Sequence, residues 1–230
     1  MMDQRYLQPA EFIDSDSPAI QAYARKSLTA GESVLEQAVD LYYRVRDDIR
    51  YVPYLNYSDP EVYRASSVLR NGFGFCISKA SLLAACGRAL GIPSRVGFGD
   101  VTNHLNSPRL REINDGDIFR WHAFTEFYLE ERWVKATPAF NLELCTKFRI
   151  RPLEFNGRED SIFHPFNLEH ELFMEYVAEH GVFADIPLDM ILAAWKATYG
   201  KDRVESWIEM FEKHGGISGR DFSKEDVIES

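Results

Sequence analysis

The stretch Asn71-Gly72-Phe73-Gly74-Phe75-Cys76-Ile77-Ser78-Lys79-Ala80 decides how this chain is read. Two glycines make a turn, a cysteine follows, and then comes an alanine-rich apolar run that reads as a helix. A thiol at a helix N-terminus faces unpaired backbone N–H groups and the positive end of the helix dipole. Both favour the thiolate, the nucleophilic form, so a depressed Cys76 pKa is expected.

The helix predicted behind Cys76 runs through Leu82, Leu83 and Leu90 and stops at Gly91-Ile92-Pro93, with Gly91 placed for a C′ residue. Ala80, Ala84, Ala85 and Ala89 keep its surface thin, so it can be packed on several sides as the central helix of a core. Upstream, Ser17-Pro18 reads as an N-cap with proline at the first helical position, and Gly31 as the stop. Ser33-Val34-Leu35-Glu36 is a capping-box pattern. Val34, Leu35, Ala38, Leu41, Tyr42, Val45 and Ile49 follow on one helical stripe, predicting a helix to about Asp48. Tyr51 to Tyr63 reads as an ordered loop.

Downstream, Ser94 to Val101 reads as a strand and Asn103 to Gly116 as a polar loop. Trp121 to Leu129 and Trp133 to Thr137, joined by Glu130-Glu131-Arg132, read as a hairpin. An irregular stretch extends to about Pro165. The last third reads as helices over Asn167–His180, Pro187–Tyr199 and Asp202–His214, each stopped by glycine, with a charged, frayed tail from Ser218.

With 230 residues, 45% of them hydrophobic, the chain can bury one sizeable core. There are 26 basic and 36 acidic residues, a formal charge of −10, which argues against nucleic acid and anionic membrane as partners. Met1 to Phe12 lacks the basic and then apolar pattern of a secretory leader, and no apolar run reaches the about 20 residues of a membrane helix. Cys76, Cys86 and Cys145 are odd in number and widely spaced, which predicts free thiols and a cytoplasmic setting. Cys86 reads as a small buried apolar residue. No metal-ligand spacing occurs, so neither metal nor cofactor is expected.

A cysteine nucleophile needs a base, usually a histidine oriented by a third polar group. His170, His180 and His214 read as solvated residues of the C-terminal helices, and His164 is undecided. His122 begins a strand whose alternating face is aromatic; strand position alone favours a structural role. Asp100-Val101-Thr102-Asn103-His104-Leu105 reads as a loop anchored by Asn103 and His104, with a substrate-cleft wall as the alternative.

The order of these elements resembles the transglutaminase-like superfamily of papain-type cysteine enzymes. The resemblance spans Tyr51 to Asn141. It rests on the Gly-x-Cys helix start at Cys76, on Arg88-Ala89-Leu90-Gly91-Ile92-Pro93-Ser94-Arg95 at the helix exit, and on Trp121-His122-Ala123-Phe124-Thr125-Glu126, where Phe124 replaces the family's tryptophan. It implies Cys76 as nucleophile, His122 as general base and acid, and the Cys76 N–H as oxyanion donor. A second oxyanion donor would come from upstream, with Tyr51, Tyr54 and Asn56 as candidates. The family's third residue is an aspartate before proline; here Thr137 precedes Pro138, with Asn141 a contender. Threonine can orient an imidazole but cannot stabilise imidazolium as a carboxylate would.

The expected fold is therefore α+β and papain-like/transglutaminase-like. A central helix bearing Cys76 would lie against an antiparallel sheet bearing His122 and Thr137. Residues 1–165 would form the core and 166–230 a helical extension packed on it. The expected activity is acyl transfer from an amide through a thioester, as protease, amidase or transglutaminase, on a peptide, protein or small amide. The alternative is a catalytically silent binding or scaffold domain. Oligomeric state is left open.

Overall fold

The computed structural model describes residues 3–26, 32–103, 105–106, 111, 116–162, 174–213, 222 and 228–229. Helices α1 (Pro18–Lys26), α2 (Val34–Asp48) and α3 (Ala65–Asn71) precede α4 (Cys76–Ala89); α5 (Leu142–Lys147), α6 (Leu188–Tyr199) and α7 (Lys201–Lys213) follow it. The strands are β1 (Arg50–Tyr51), β2 (Phe73–Gly74), β3 (Ser94–Asn103), β4 (Leu105–Asn106), β5 (Ile118–Leu129), β6 (Arg132–Ala136), β7 (Met174–Phe183) and β8 (Ile228–Glu229). The main sheet runs β6-β5-β3-β7, and every pairing in it is antiparallel.

Helix α2 starts where the capping box places it. Ser33 Oγ accepts from Glu36 N at 3.3 Å, and Glu36 Oε2 accepts from Ser33 N at 2.8 Å. Ala38, Leu41, Tyr42 and Val45 turn inward, and the helix ends as Ile49 becomes extended. Its last carbonyls would be orphaned in the core. Lys79 of α4, fully buried, closes them: Nζ donates to Arg46 O at 2.8 Å and Ile49 O at 2.5 Å. Burial pushes the Lys79 ammonium down to about 7.

The turn before Cys76 needs both glycines. Gly72 ends α3 in the left-handed region at φ 72°, where its N–H donates to Val68 O at 2.9 Å. At Gly74 an added Cβ would lie 2.6 Å from Ser78 Cβ. Between them β2 pairs in parallel with β1, which sets the height at which α4 begins. From Cys76 to Arg88 every residue of α4 is buried. Helices α1, α2 and α3 pack on one side of it and the sheet on the other. The central-helix expectation holds, and α4 ends before Gly91 at φ 77°.

Glu130 and Glu131, both at positive φ (46° and 66°), make the tight turn of the β5–β6 hairpin. The register Val96↔Thr125 and Phe98↔Ala123 puts these side chains on the face toward α4, where Thr125 Oγ1 donates to Ala80 O at 2.8 Å. Near its start β5 bulges. Gly99 pairs with His122 and Val101 with Phe119, so Arg120 and Trp121 both lie opposite Asp100, and Trp121 takes φ 60°.

Three expectations are corrected. The predicted helix Asn167–His180 is, over its described part, strand β7, added to the sheet beside β3 through pairs such as Val101↔Tyr176. Its glycine stop is a residue inside that strand. Asp100 to Asn103 continue β3 and are not a loop, because β5 and β7 both pair with them. Part of the tail is seated: Phe222 is buried against Tyr51, Tyr54 and Phe148. Helices α1, α2, α6 and α7 match the reading to within a few residues, while the Gly31, His104, His164, His170 and His214 assignments lie outside the described residues. Among the described residues, no helix is long and apolar enough to cross a membrane.

Replacing Lys79 by methionine should strip two buried carbonyls of their donor and lower stability by about 2 kcal/mol or more. Urea denaturation checks this; an unchanged midpoint would mean that Lys79 does not hold the end of α2.

Candidate active site

Cys76 is the first residue of α4 and is 8% exposed. The backbone N–H groups of Ala123, Ile77 and Cys76 itself lie near enough to the sulfur to favour its ionised form. Ala123 directly follows His122, so the sulfur meets β5 beside the histidine. Cys76 and His122 line one pocket, holding about 520 Å³ of space that is partly open to solvent. Its walls are aromatic: Tyr51, Tyr57 and Phe75 come from the chain between α2 and α4, Phe119 and Trp121 from β5, and Trp195, Tyr199 and Trp207 from α6 and α7.

The thiol does not show the depressed pKa expected of a helix N-terminus. Burial pushes it up to about 11, and the three N–H groups only partly oppose this. Burial also pushes the His122 imidazolium down, to about 3. Both shifts have one cause: burial among apolar side chains withholds the water a thiolate–imidazolium pair would need. They favour the uncharged thiol and the uncharged imidazole.

Thr137 and Asn141 are both buried. Asn141 Oδ1 accepts the backbone N–H of Tyr51 at 3.1 Å, and so fixes a pocket wall. The Thr137 carbonyl accepts the Tyr42 hydroxyl at 3.2 Å. Tyr176 of β7 lies with both members of the expected pair. Its ring meets His122 edge-on at 6.3 Å, and burial raises its phenol well above the ordinary value. Tyr176 was invisible in the sequence because β7 read as helix. Of the upstream candidates, Tyr51 lines the pocket, whereas Asn56 Oδ1 is bonded to Ser58 N and Oγ in an exposed turn.

His180 is corrected too. It is a half-buried strand residue, not a solvated helix residue. Its Nε2 donates to Asp100 Oδ1 at 2.6 Å, and its ring stacks on Trp121 at 4.6 Å and 11°. Asp100 also receives Trp121 N at 3.1 Å and Arg120 Nη1 at 2.5 Å, so it fixes the bulge at the pocket's edge. The C-terminal helices dock on the same bulge: Trp195 Nε1 donates to Arg120 O at 3.1 Å, and the Tyr199 hydroxyl to Ile118 O at 3.2 Å. Cys86 and Cys145 are buried free thiols away from this pocket. Among the described residues, no group of three His, Cys, Asp or Glu side chains is arranged to hold a metal.

The family described as the transglutaminase-like superfamily matches residues 21–138, half of the chain. The chain belongs to the transglutaminase-like superfamily. Its α+β fold, with a cysteine-bearing helix against an antiparallel sheet, is the fold of that superfamily. Similar solved structures include a "Putative Cysteine Protease" from Cytophaga hutchinsonii, at 19% identity and a TM-score of 0.49, covering 81% of this chain and 48% of that one. Another is a "putative protease" from Parabacteroides distasonis, at 15% identity and a TM-score of 0.39, covering 58% and 25%. The chain thus spans about half of the first and a quarter of the second. No curated protein matches it.

Two outcomes follow from the buried position of Cys76 and His122 in this transglutaminase-like domain. Trp207→Ala should admit water and speed iodoacetamide labelling of Cys76 at pH 8 by about tenfold. Equal rates, followed by peptide mapping, would mean that the roof does not restrain the thiol. For His122, the folded pKa lies below the unfolded value of about 6.5. Between that value and about 3, the unfolded chain binds a proton that the folded one does not, so stability falls as pH drops through this window. Urea midpoints from pH 7 to 4 should fall less steeply in His122→Gln than in the unsubstituted chain.

Proposed function

We propose that the chain is a cysteine-nucleophile enzyme that transfers the acyl group of an amide through a thioester, with hydrolysis as the favoured outcome. The observation that carries this is the placement of the Cys76 sulfur against the N–H of Ala123, next to His122, in one pocket.

The residues take roles that follow from their positions. Substrate entry brings the amide carbonyl to Cys76. His122, neutral at rest, takes the thiol proton as sulfur bonds to the carbonyl carbon. Backbone N–H groups at the start of α4, with the Cys76 N–H foremost, face the oxygen that gains charge. The tetrahedral species collapses, the C–N bond breaks, and His122 gives its proton to the leaving amine. Water, deprotonated by His122, then attacks the thioester, releasing the acid and restoring the thiol. A primary amine in place of water would make the reaction a transamidation.

Neutral hydroxyls would stand in for the family's aspartate. Thr137 and Tyr176 can orient the imidazole by hydrogen bonding without stabilising imidazolium as a carboxylate does. That suits a pair that rests neutral and transfers its proton only as the new bond forms. Tyr176→Phe should therefore lower kcat by about threefold to tenfold and shift its pH profile, with KM little changed. An unaltered pH profile would reduce Tyr176 to a packing residue.

A panel of glutamine-containing peptides, with and without a primary amine, tests the activity. Ammonia without adduct marks side-chain hydrolysis, a cut backbone marks a protease, and an amine adduct marks a transferase. Cys76→Ala should abolish whichever product forms. The missing carboxylate and the raised thiol favour a second reading, a silent domain that binds amides without turning them over. That reading gains if no product forms from any peptide.

A further inference from the structure

We propose that the substrate is a peptide C-terminus or small N-acyl amino acid whose free carboxylate is bound by Arg120, with the neighbouring apolar group held among the pocket's aromatic rings. The reaction half of this inference rests on the acyl-transfer function proposed above; the binding half does not.

Among the described residues that line the pocket, Arg120 alone carries a formal charge. It is unusually well fixed. Its N–H donates to the Tyr199 hydroxyl at 3.2 Å and its carbonyl accepts Trp195 Nε1 at 3.1 Å. One end of its guanidinium donates through Nη1 to Asp100 Oδ2 at 2.5 Å. Nε and Nη2 make no hydrogen bond among the described residues, and the side chain is 34% exposed. Burial works against the ionisation of Asp100, but bonds from His180, Arg120 and the Trp121 N–H outweigh burial and hold its carboxyl below the usual range. One carboxylate thus serves three donors, and one edge of the guanidinium is left to pair with another.

The shape of the site says which end of a substrate arrives. Cys76 is 8% exposed in a pocket walled by Trp195 and Trp207, which favours a chain end or small molecule over a loop of a folded protein. Among the described residues no aspartate or glutamate lines the pocket, and Arg120 opposes an ammonium group, which disfavours a peptide N-terminus. A C-terminus brings a planar carboxylate that matches the guanidinium fork. Cleavage then releases an amino acid: the leaving nitrogen takes the proton from His122, and the carboxylate departs with it.

Benzoyl-glycyl-phenylalanine and its C-terminal amide form the test pair. In calorimetric titrations of Cys76→Ser, the acid should bind at least about tenfold more tightly than the amide, as a charge-assisted pair requires. Adding Arg120→Gln should bring the ratio to about one, and Arg120→Lys, which keeps the charge but loses the fork, should retain part of it. Equal binding of acid and amide, no binding of either, or a preference that survives Arg120→Gln overturns the inference. If Arg120→Gln does not fold, an unchanged preference in Arg120→Lys overturns the guanidinium fork. Incubating the acid with the unsubstituted chain separates the two proposals. Selective binding without release of benzoyl-glycine keeps the carboxylate site and removes the hydrolase. Cleavage of acid and amide alike keeps the hydrolase and removes the carboxylate site.

Discussion

Burial of α4 on every side is the constraint on which the rest of the structure depends. A helix with no solvent face must satisfy its polar groups internally and fit its neighbours closely. Its alanines let α1, α2, α3 and the sheet approach. Lys79 turns its ammonium onto the end of α2, and Thr125 of the sheet bonds to the Ala80 carbonyl. At its N-terminus, where a helix leaves N–H groups without intrahelical partners, the Cys76 sulfur lies near those of Ile77 and Cys76 itself.

The same burial sets the electrostatics of the pocket. Dipole and hydrogen bonds at a helix start favour a thiolate, but their effect is modest beside the loss of hydration in an apolar enclosure. Cys76 is pushed up and His122 down, so charge separation at rest is unfavourable. The enclosure comes from α6 and α7, whose aromatic side chains roof the pocket and are bonded to the bulge of β5. Reactivity of the thiol is thereby coupled to how those helices sit.

The bulge links the two halves of the site. By placing Arg120 and Trp121 opposite Asp100, it restarts the alternation of β5 just before His122, and so decides which face the histidine takes. Asp100 stabilises the bulge by accepting three hydrogen bonds in a place where water is scarce. His180, reaching across from β7, is one of those donors, which accounts for a histidine with a carboxylate partner that is not part of the nucleophile's own pair.

Much was legible in the sequence alone. The capping box at Ser33, the glycine exit at Gly91, the turn into Cys76 and the β5–β6 hairpin are local signals, each written in a few adjacent residues. Hydrogen bonding and φ preference act over that same short range, so sequence determined them. The motif order around Cys76 and His122 was legible for the same reason. Strand β7 was not: glutamates and a glycine in Met174–Phe183 read as a helix with a stop, and only pairing with β3 makes the segment a strand. With β7 came Tyr176 and the partner of Asp100. Nor did sequence disclose the roof, since the position of α6 and α7 over the pocket depends on contacts with Arg120 and Ile118, 75 and 81 residues away. The pKa of Cys76 belongs with these, because desolvation depends on everything that surrounds the sulfur and the helix start is only one neighbour among them.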